Sequence, residues 1–449
     1  MLTVSNDYKT AVNADSRRWI PKIEVYFDGI NQPPVIFNGD DIIDCTFLEE
    51  ATAESDNPLG SVSANEVTIS FNNSTRAFTP TNILSPYYGK LKPNVLVKPY
   101  LGLELPDTTY EYIPLGVFRT GDWGSPSGTV EATVTCFDKL YEIGDKEVPM
   151  LPVKQNTTIG ELFVLLFNAL GITSYTVDES LNQVISIGWL SKGKVRDALQ
   201  SLAVAGNCNV MADRYGAIRV QSNLSAGSSV VTFTDSNQIF SAENPQKYLD
   251  TYSVVKVNYK LPYLKAKDTI LRVENVSIPN GGVTLQYEFS SGPIANVEKV
   301  KINGVTSTIS QVDYGAWDIS IQISNAGSAE NVTVEVTGQA VASITSAYTI
   351  QDDTAVAQFG IKEIPIDNDL IQSEVVAQAY ATGLLSYVKD PLVNFTISCR
   401  GNPAVEVCDV ITIQDDTDKI GTVDVIPIRI NLNYDGALDC TIEARKKVV

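Results

Sequence analysis

The sequence predicts a β-rich α+β protein, and three observations carry that prediction. Apolar residues alternate with period two over most of the chain, the period turns helical in only three short stretches, and Gly, Asn and Asp clusters punctuate the runs. At about 100–200 residues per domain, 449 residues make roughly three or four domains, with enough chain for several cores.

Residues 1–150 form the first β segment. Lys22-Ile23-Glu24-Val25-Tyr26-Phe27, Glu66-Val67-Thr68-Ile69-Ser70-Phe71 and Val130-Glu131-Ala132-Thr133-Val134-Thr135-Cys136 alternate, which sends one set of side chains to a core. Turn residues separate them at Asn38-Gly39-Asp40-Asp41 and from Gly124 to Gly128, so a barrel or sandwich is expected.

Residues 151–250 read as a small α+β lobe. Thr158-Ile159-Gly160-Glu161 fits a capping box, in which threonine and glutamate satisfy orphan amides at a helix start. Ile159, Leu162, Phe163, Leu166 and Leu170 then recur on one face, and Gly171 ends the helix. A second helix runs from Gly193 to Ala205, with Val195, Leu199 and Leu202 on one side and Gly206-Asn207 as its stop. Residues 208–213 and 218–221 flank a Tyr215-Gly216 turn and read as a hairpin packed on both helices.

Residues 251–345, rich in Val, Ile, Thr and Ser, read as an inserted antiparallel β-sandwich. Val297-Glu298-Lys299-Val300-Lys301-Ile302 runs into Asn303-Gly304, a strong hairpin signal, and residues 318–323 and 331–336 alternate cleanly. Residues 346–449 return to β with one helix. Asn368 or Asp369 can cap it; Ile371, Val375, Ala379, Leu384 and Leu385 give it an apolar side; and it must stop near Asp390-Pro391. Strands follow at residues 394–398, 410–413, 428–432 and 439–444.

The chain contains no histidine, which removes the commonest general base and metal ligand and excludes Ser-His-Asp and Cys-His nucleophile schemes. Lys+Arg 33 against Asp+Glu 53 gives a net charge of −20, the wrong sign for gripping nucleic acid. Cys45, Cys136, Cys208, Cys399, Cys408 and Cys440 are scattered and read as reduced, mostly buried thiols. The start carries no signal-peptide pattern. The most apolar run, residues 162–170, is about half the length of a membrane span and reads as a core helix, so no membrane insertion is expected.

Chemical look-alikes fail on their own terms. Gly188-Trp189-Leu190-Ser191-Lys192-Gly193-Lys194 has the spacing of a phosphate-binding loop, but Val195 stands where Ser or Thr should hold magnesium, and Trp189 and Leu190 put bulk where bare amides are needed. Asp415-Asp416-Thr417-Asp418 lacks the glycine and bidentate glutamate of a calcium loop and reads as a solvated hairpin tip. Asp40, Asp41, Asp44, Glu49 and Glu50 could supply paired carboxylates for sugar hydrolysis, but read as solvated edge residues. Trp123, Trp189 and Trp317 read as core or interface anchors. No catalytic, cofactor-binding or metal-ligating residue is assigned, and no enzyme activity is expected.

Several stretches together resemble the tail-tip or baseplate hub proteins of tailed bacteriophages. They are residues 113–118 with Asp122-Trp123, residues 134–140, Val195-Arg196-Asp197-Ala198-Leu199, Ala205-Gly206-Asn207, Asp213-Arg214-Tyr215-Gly216-Ala217-Ile218, residues 400–410 and Tyr434-Asp435-Gly436-Ala437-Leu438. Two positions depart from the pattern: Cys136 stands where a small residue is expected, and Cys408 where glycine is. The resemblance implies a homotrimer with two tail-tube-like β-barrel domains per chain, residues 1–150 and 346–449, ringed to continue the tail tube and pass DNA during ejection. It also implies a place in the virion tail tip after assembly in the host cytoplasm, with the distal tail ring protein, the tape-measure protein and tail spikes, fibres or receptor-binding proteins as partners. With the chain ending at Val449, a wall hydrolase appended in larger relatives is not expected. A glycan-binding role for the 251–345 sandwich is the alternative, and a carboxylate-based wall hydrolase a weaker one.

Overall fold

The computed structural model describes residues 1–447 except 53–58, 127, 223–226, 237, 245–250, 392 and 418–419. Fourteen strands share one long sheet. In chain order these are β1 (Trp19–Tyr26), β2 (Val35–Asn38), β3 (Ile42–Glu50), β4 (Glu66–Asn72), β5 (Leu96–Glu104), β6 (Tyr110–Pro114), β7 (Phe118–Gly124), β8 (Glu131–Phe137), β9 (Val231–Thr234), β10 (Ile239–Glu243), β11 (Asn394–Cys399), β12 (Ile411–Asp415), β13 (Gly421–Tyr434) and β14 (Leu438–Lys446). Their spatial order is β10-β11-β14-β13-β3-β4-β8-β7-β5-β1-β2, with β6 on β5, β12 on β13 and β9 on β12. The pairing is antiparallel apart from β9 on β12.

The β-rich α+β class is as expected, but the two β segments are not two separate barrels. β3 pairs with β13 from Cys45↔Tyr434 to Glu50↔Arg429, so the first and last segments fuse into one curled half-barrel. A single apolar core lies inside the curl and mixes Phe47, Val67, Ile69 and Phe71 with Ile397, Ile411, Ile430, Leu432 and Ile442. Period-two alternation fixes which face is buried but not which strand lies alongside, and that freedom lets distant segments merge.

Among the described residues six helices accompany the sheets: α1 (Asn6–Ala11), α2 (Lys139–Gly144), α3 (Ile159–Ala169), α4 (Val195–Gly206), α5 (Asp353–Phe359) and α6 (Glu374–Val388). The capping box at α3 is present, with Thr158 accepting from the Glu161 amide and Glu161 from the Thr158 amide. α4 stops at Asn207, which takes the left-handed conformation. The 208–212 and 218–222 strands pair as the expected hairpin. α6 starts later than expected: Ser373, not Asn368 or Asp369, caps it by accepting from the Val376 amide. Asn368 instead accepts from the Leu370 amide in the preceding turn, and Val375 consequently faces solvent.

A second core holds α3, α4 and α6 together with the 208–222 hairpin and Val255 and Val257. A third fills the sandwich, between a sheet that includes Glu330–Gln351 and a three-stranded sheet of residues 283–288, 307–314 and 318–325. Asn303-Gly304 is a corner there, not a hairpin turn. Ile302 pairs with Val334 in one sheet and Ser307 with Asn325 in the other, and neither Asn303 nor Gly304 has the positive φ that the tight hairpin turn needs. Glu330 builds the corner by accepting from the amides of Val305, Thr306 and Ser307, and these donors draw its carboxyl down to about 2.

Cys408 has φ +66, the conformation that glycine favours. All six cysteines are free, and all but Cys408 are fully buried. Among the described residues no helix is long and apolar enough to cross a membrane.

Candidate functional site

The outer face of the long sheet gathers polar side chains from several strands. Side chains opposite the core line up across the strands in register. One row reads Asp439, Asn433, Thr46, Thr68, Thr135 and the next Thr441, Asn431, Leu48, Glu66, Phe137. Short rows of Glu443, Arg429, Glu50 and of Asp44, Ser70, Thr133 flank them, and Asn72 faces Glu131 at one end.

Neighbouring side chains bind each other along the rows. Thr46 Oγ1 donates to Asn433 Oδ1 at 2.8 Å, and Thr68 and Thr135 share a hydrogen bond at 3.1 Å. Arg429 bridges Glu50 at 2.9 Å and Glu443 at 3.4 Å. Burial, and Glu50 close by, push the Glu66 carboxyl up. Where they cross β14, β13, β3, β4 and β8, the rows hold six carboxylates, Asp44, Glu50, Glu66, Glu131, Asp439 and Glu443, against the guanidinium of Arg429; the same face continues onto β7, β5 and β1 with Arg119, Lys98 and Lys22 beside Glu24. Short hydroxyl and amide groups with surplus negative charge make a smooth surface that repels polyanions and offers no nucleophile or metal cage. Among the described residues no group of three or more Cys, Asp or Glu could hold a metal ion.

A buried ion pair fixes the lobe to the back of this sheet. The Asp213 carboxylate accepts from the Tyr215 and Ala217 amides at 2.9 and 2.8 Å and so sets the turn that aims Arg214 inward. Arg214 donates to both Glu49 oxygens, at 3.0 and 2.8 Å, and to the carbonyls of Pro114 and Val405. Its guanidinium also lies over the Phe47 ring at 4.6 Å. One side chain thereby ties the lobe to the first β segment and to the 402–410 loop. Burial pushes the Glu49 carboxyl up, and Arg214 pulls against it.

The residues singled out in the sequence are not brought together. Glu49 points into the core and Glu50 to the open face, because successive residues of a strand face opposite ways. Asp40 and Asp41 are exposed on a short turn beyond β2. Asp415 is buried at the end of β12, which corrects the fully solvated tip, while Asp416 and Thr417 donate to Asp235. Asp418 lies outside the described residues. The 188–195 loop does join a strand to α4, but Trp189 and Leu190 fill it, Trp317 Nε1 donates to the Leu190 carbonyl at 2.7 Å, and the Val195 amide is taken by Lys146. Trp123 stacks on Phe78 at 6.0 Å inside an aromatic cluster.

Asp138 adds a titrating group beneath the sheet. It caps α2 by accepting from the Leu140 and Tyr141 amides, and it also accepts from the Asn65 amide at 2.8 Å. Burial nevertheless pushes its carboxyl up to about 6. A carboxyl raised on folding contributes stability below its unfolded value near 3.8 and loses that contribution as pH rises through about 6. In urea titrations, the stability of Asp138→Asn relative to the parent is therefore expected to improve by up to about 3 kcal/mol between pH 4 and 7. Parallel curves for the two proteins would refute this assignment.

No protein-family model matches the chain, and no curated protein does. Solved structures do match. The prophage MuSo2 43 kDa tail protein from Shewanella oneidensis is similar with a TM-score of 0.54 at 9% identity, over 95% of this chain and 98% of that one. The tail protein from Neisseria meningitidis MC58 is similar with a TM-score of 0.55 at 8% identity, over 96% and 97%. Coverage is nearly complete in both directions, so the likeness extends to the whole architecture. The likeness to phage tail proteins that the sequence suggested is found in the fold, without the two separate barrels that the resemblance implied.

Proposed function

We propose that the chain is a structural hub of a phage tail tip or baseplate, a homotrimer whose ring continues the tail tube and passes DNA during ejection. Each copy contributes two tail-tube-like β halves, residues 1–150 and 346–449, with the 151–250 lobe and the 251–345 sandwich outside the ring. The observation that carries this reading is the open face of the long sheet from β14 to β8, with six carboxylates against one guanidinium among threonines and asparagines. Turned inward, that face lines the bore. A basic lining would hold duplex DNA by releasing its counterions, whereas an acidic, hydroxyl-rich one lets it slide. The whole-chain fold likeness to two tail proteins supports the same reading.

In this reading the role is structural and not enzymatic, and the chain works at the virion tail tip after assembly in the host cytoplasm. The distal tail ring protein, the tape-measure protein and tail spikes or fibres are its neighbours. Native mass spectrometry and light scattering of the purified chain should give a trimer, and electron microscopy a ring whose bore is lined by the 44–50, 66–72 and 429–443 segments. A bore lined mainly by Lys and Arg, or a chain that is monomeric both alone and in isolated tail tips, would overturn the proposal.

A further inference from the structure

Cys399 and Cys440 stand directly opposite each other in the antiparallel β11–β14 ladder. Directly opposed residues carry Cβ atoms about 4.5–5.5 Å apart. A disulfide needs about 3.5–4.5 Å, so joining the two sulfurs takes a strand movement on the order of 1 Å. Both thiols are buried, and each acts on the other's proton.

The turn after β11 closes over the pair. Gly401 has φ +74, and a Cβ there would lie 2.8 Å from the Cys440 Cβ, so glycine is what lets the turn come this near. Arg17 holds the turn from the other side, donating to the carbonyls of Gly401 at 2.8 Å and Arg400 at 2.6 Å. Its positive charge lies close enough to act on both sulfurs. Hydrogen bonds from Cys440 and the Gly401 amide, together with Arg17, draw the Cys399 thiol down; the proton shared with Cys399 and burial push Cys440 up. No other two cysteines stand directly opposite each other in a ladder of the described residues. Cys45 faces Ile69 and Cys136 faces Val67, and burial pushes Cys45 to about 12 and Cys408 to about 11.

We propose that Cys399 and Cys440 are a redox site, a thiol pair that a peroxide converts to a disulfide bridging β11 and β14. The Cys399 thiolate attacks one peroxide oxygen: an S–O bond forms, the O–O bond breaks, and the departing hydroxide takes up a proton to leave as water. Cys440 then attacks the sulfenic sulfur of Cys399. The S–S bond forms, the S–O bond breaks, and the Cys440 proton leaves with the hydroxyl as a second water. Two thiols give up two electrons and two protons, and one peroxide is reduced to two waters.

The test uses the folded, full chain. It is treated with hydrogen peroxide, unfolded in an alkylating agent, digested and mapped by mass spectrometry. The expected product is the Cys399 peptide joined to the Cys440 peptide, two hydrogens lighter than the separate peptides and cleaved by reductant, with Cys45, Cys136, Cys208 and Cys408 alkylated. Cys399→Ser and Cys440→Ser should each abolish it. Alkylation of all six cysteines after a peroxide exposure that fully oxidises a free model thiol, or another cysteine pair linked in equal yield, overturns the proposal. Mapping of the unaltered chain decides the matter by itself if either variant fails to fold.

Discussion

Replacing Arg214 with methionine is expected to lower the unfolding free energy by about 3–5 kcal/mol, the usual loss when one partner of a buried ion pair is removed. The side chains of Arg214 and Glu49 are 1% and 3% exposed, so the carboxylate left behind has no water to turn to. Three groups lose a donor at once: Glu49 and the carbonyls of Pro114 and Val405. The deficit should be largest near neutral pH and shrink toward pH 5, because a lone buried carboxyl avoids its charge by taking a proton. Pairing Arg214→Met with Glu49→Leu should recover part of the loss, since a matched apolar pair leaves no buried charge. Urea unfolding of the three variants measures all of this. A loss under about 1 kcal/mol for Arg214→Met would mean that the pair is not the clamp that its geometry describes.

Reversing charge on the open face should create DNA binding where the parent chain has none. Asp44, Glu131 and Asp439 lie on that face, half-buried or exposed, and make no ion pair among the described residues. The triple change to lysine turns six carboxylates and one guanidinium into three carboxylates and four cations, with little effect expected on the core. Duplex DNA should then bind at low salt, with log affinity falling against log salt with a slope of about −3 for each protomer engaged. Filter binding between about 50 and 200 mM salt reads this, and phage carrying the variant should eject DNA more slowly. A triple variant that binds no better than the parent would remove the face from any role in passing DNA.

How far the sequence alone carries the reading depends on whether a feature is local. The capping box at Thr158 and Glu161 and the stop at Asn207 lie within one turn of chain, and both are found as expected. The glycine-like position of Cys408 is likewise a local backbone matter. Asn303-Gly304 misled because a turn-forming pair does not say which strands it joins; Glu330, over twenty positions away, takes the amides and makes it a corner. Ser373 outcompetes Asn368 as a cap because Asn368 is already committed to the turn before α6. The polar rows are invisible in sequence for a related reason. Thr46, Thr68 and Thr135 each sit in an alternating strand, but their alignment depends on a register between strands 22 and 67 positions apart, and on Asn433 far along the chain. Arg214 was legible only as one letter of a turn motif, with nothing near it to name Glu49 as its partner.

The β3–β13 seam also sets a schedule for synthesis. Gly421 follows Glu50 by 371 positions, so at about 5–20 residues per second β3 waits roughly 20 to 70 s for the strand that covers its outer edge. Throughout that interval a nascent chain presents an open strand edge to every neighbouring nascent copy on the same message. Asp44 and Glu50 sit along that edge, and like charges on two waiting strands oppose their pairing. On the proposed hub reading, the carboxylates that line the bore would also oppose premature association between unfinished chains.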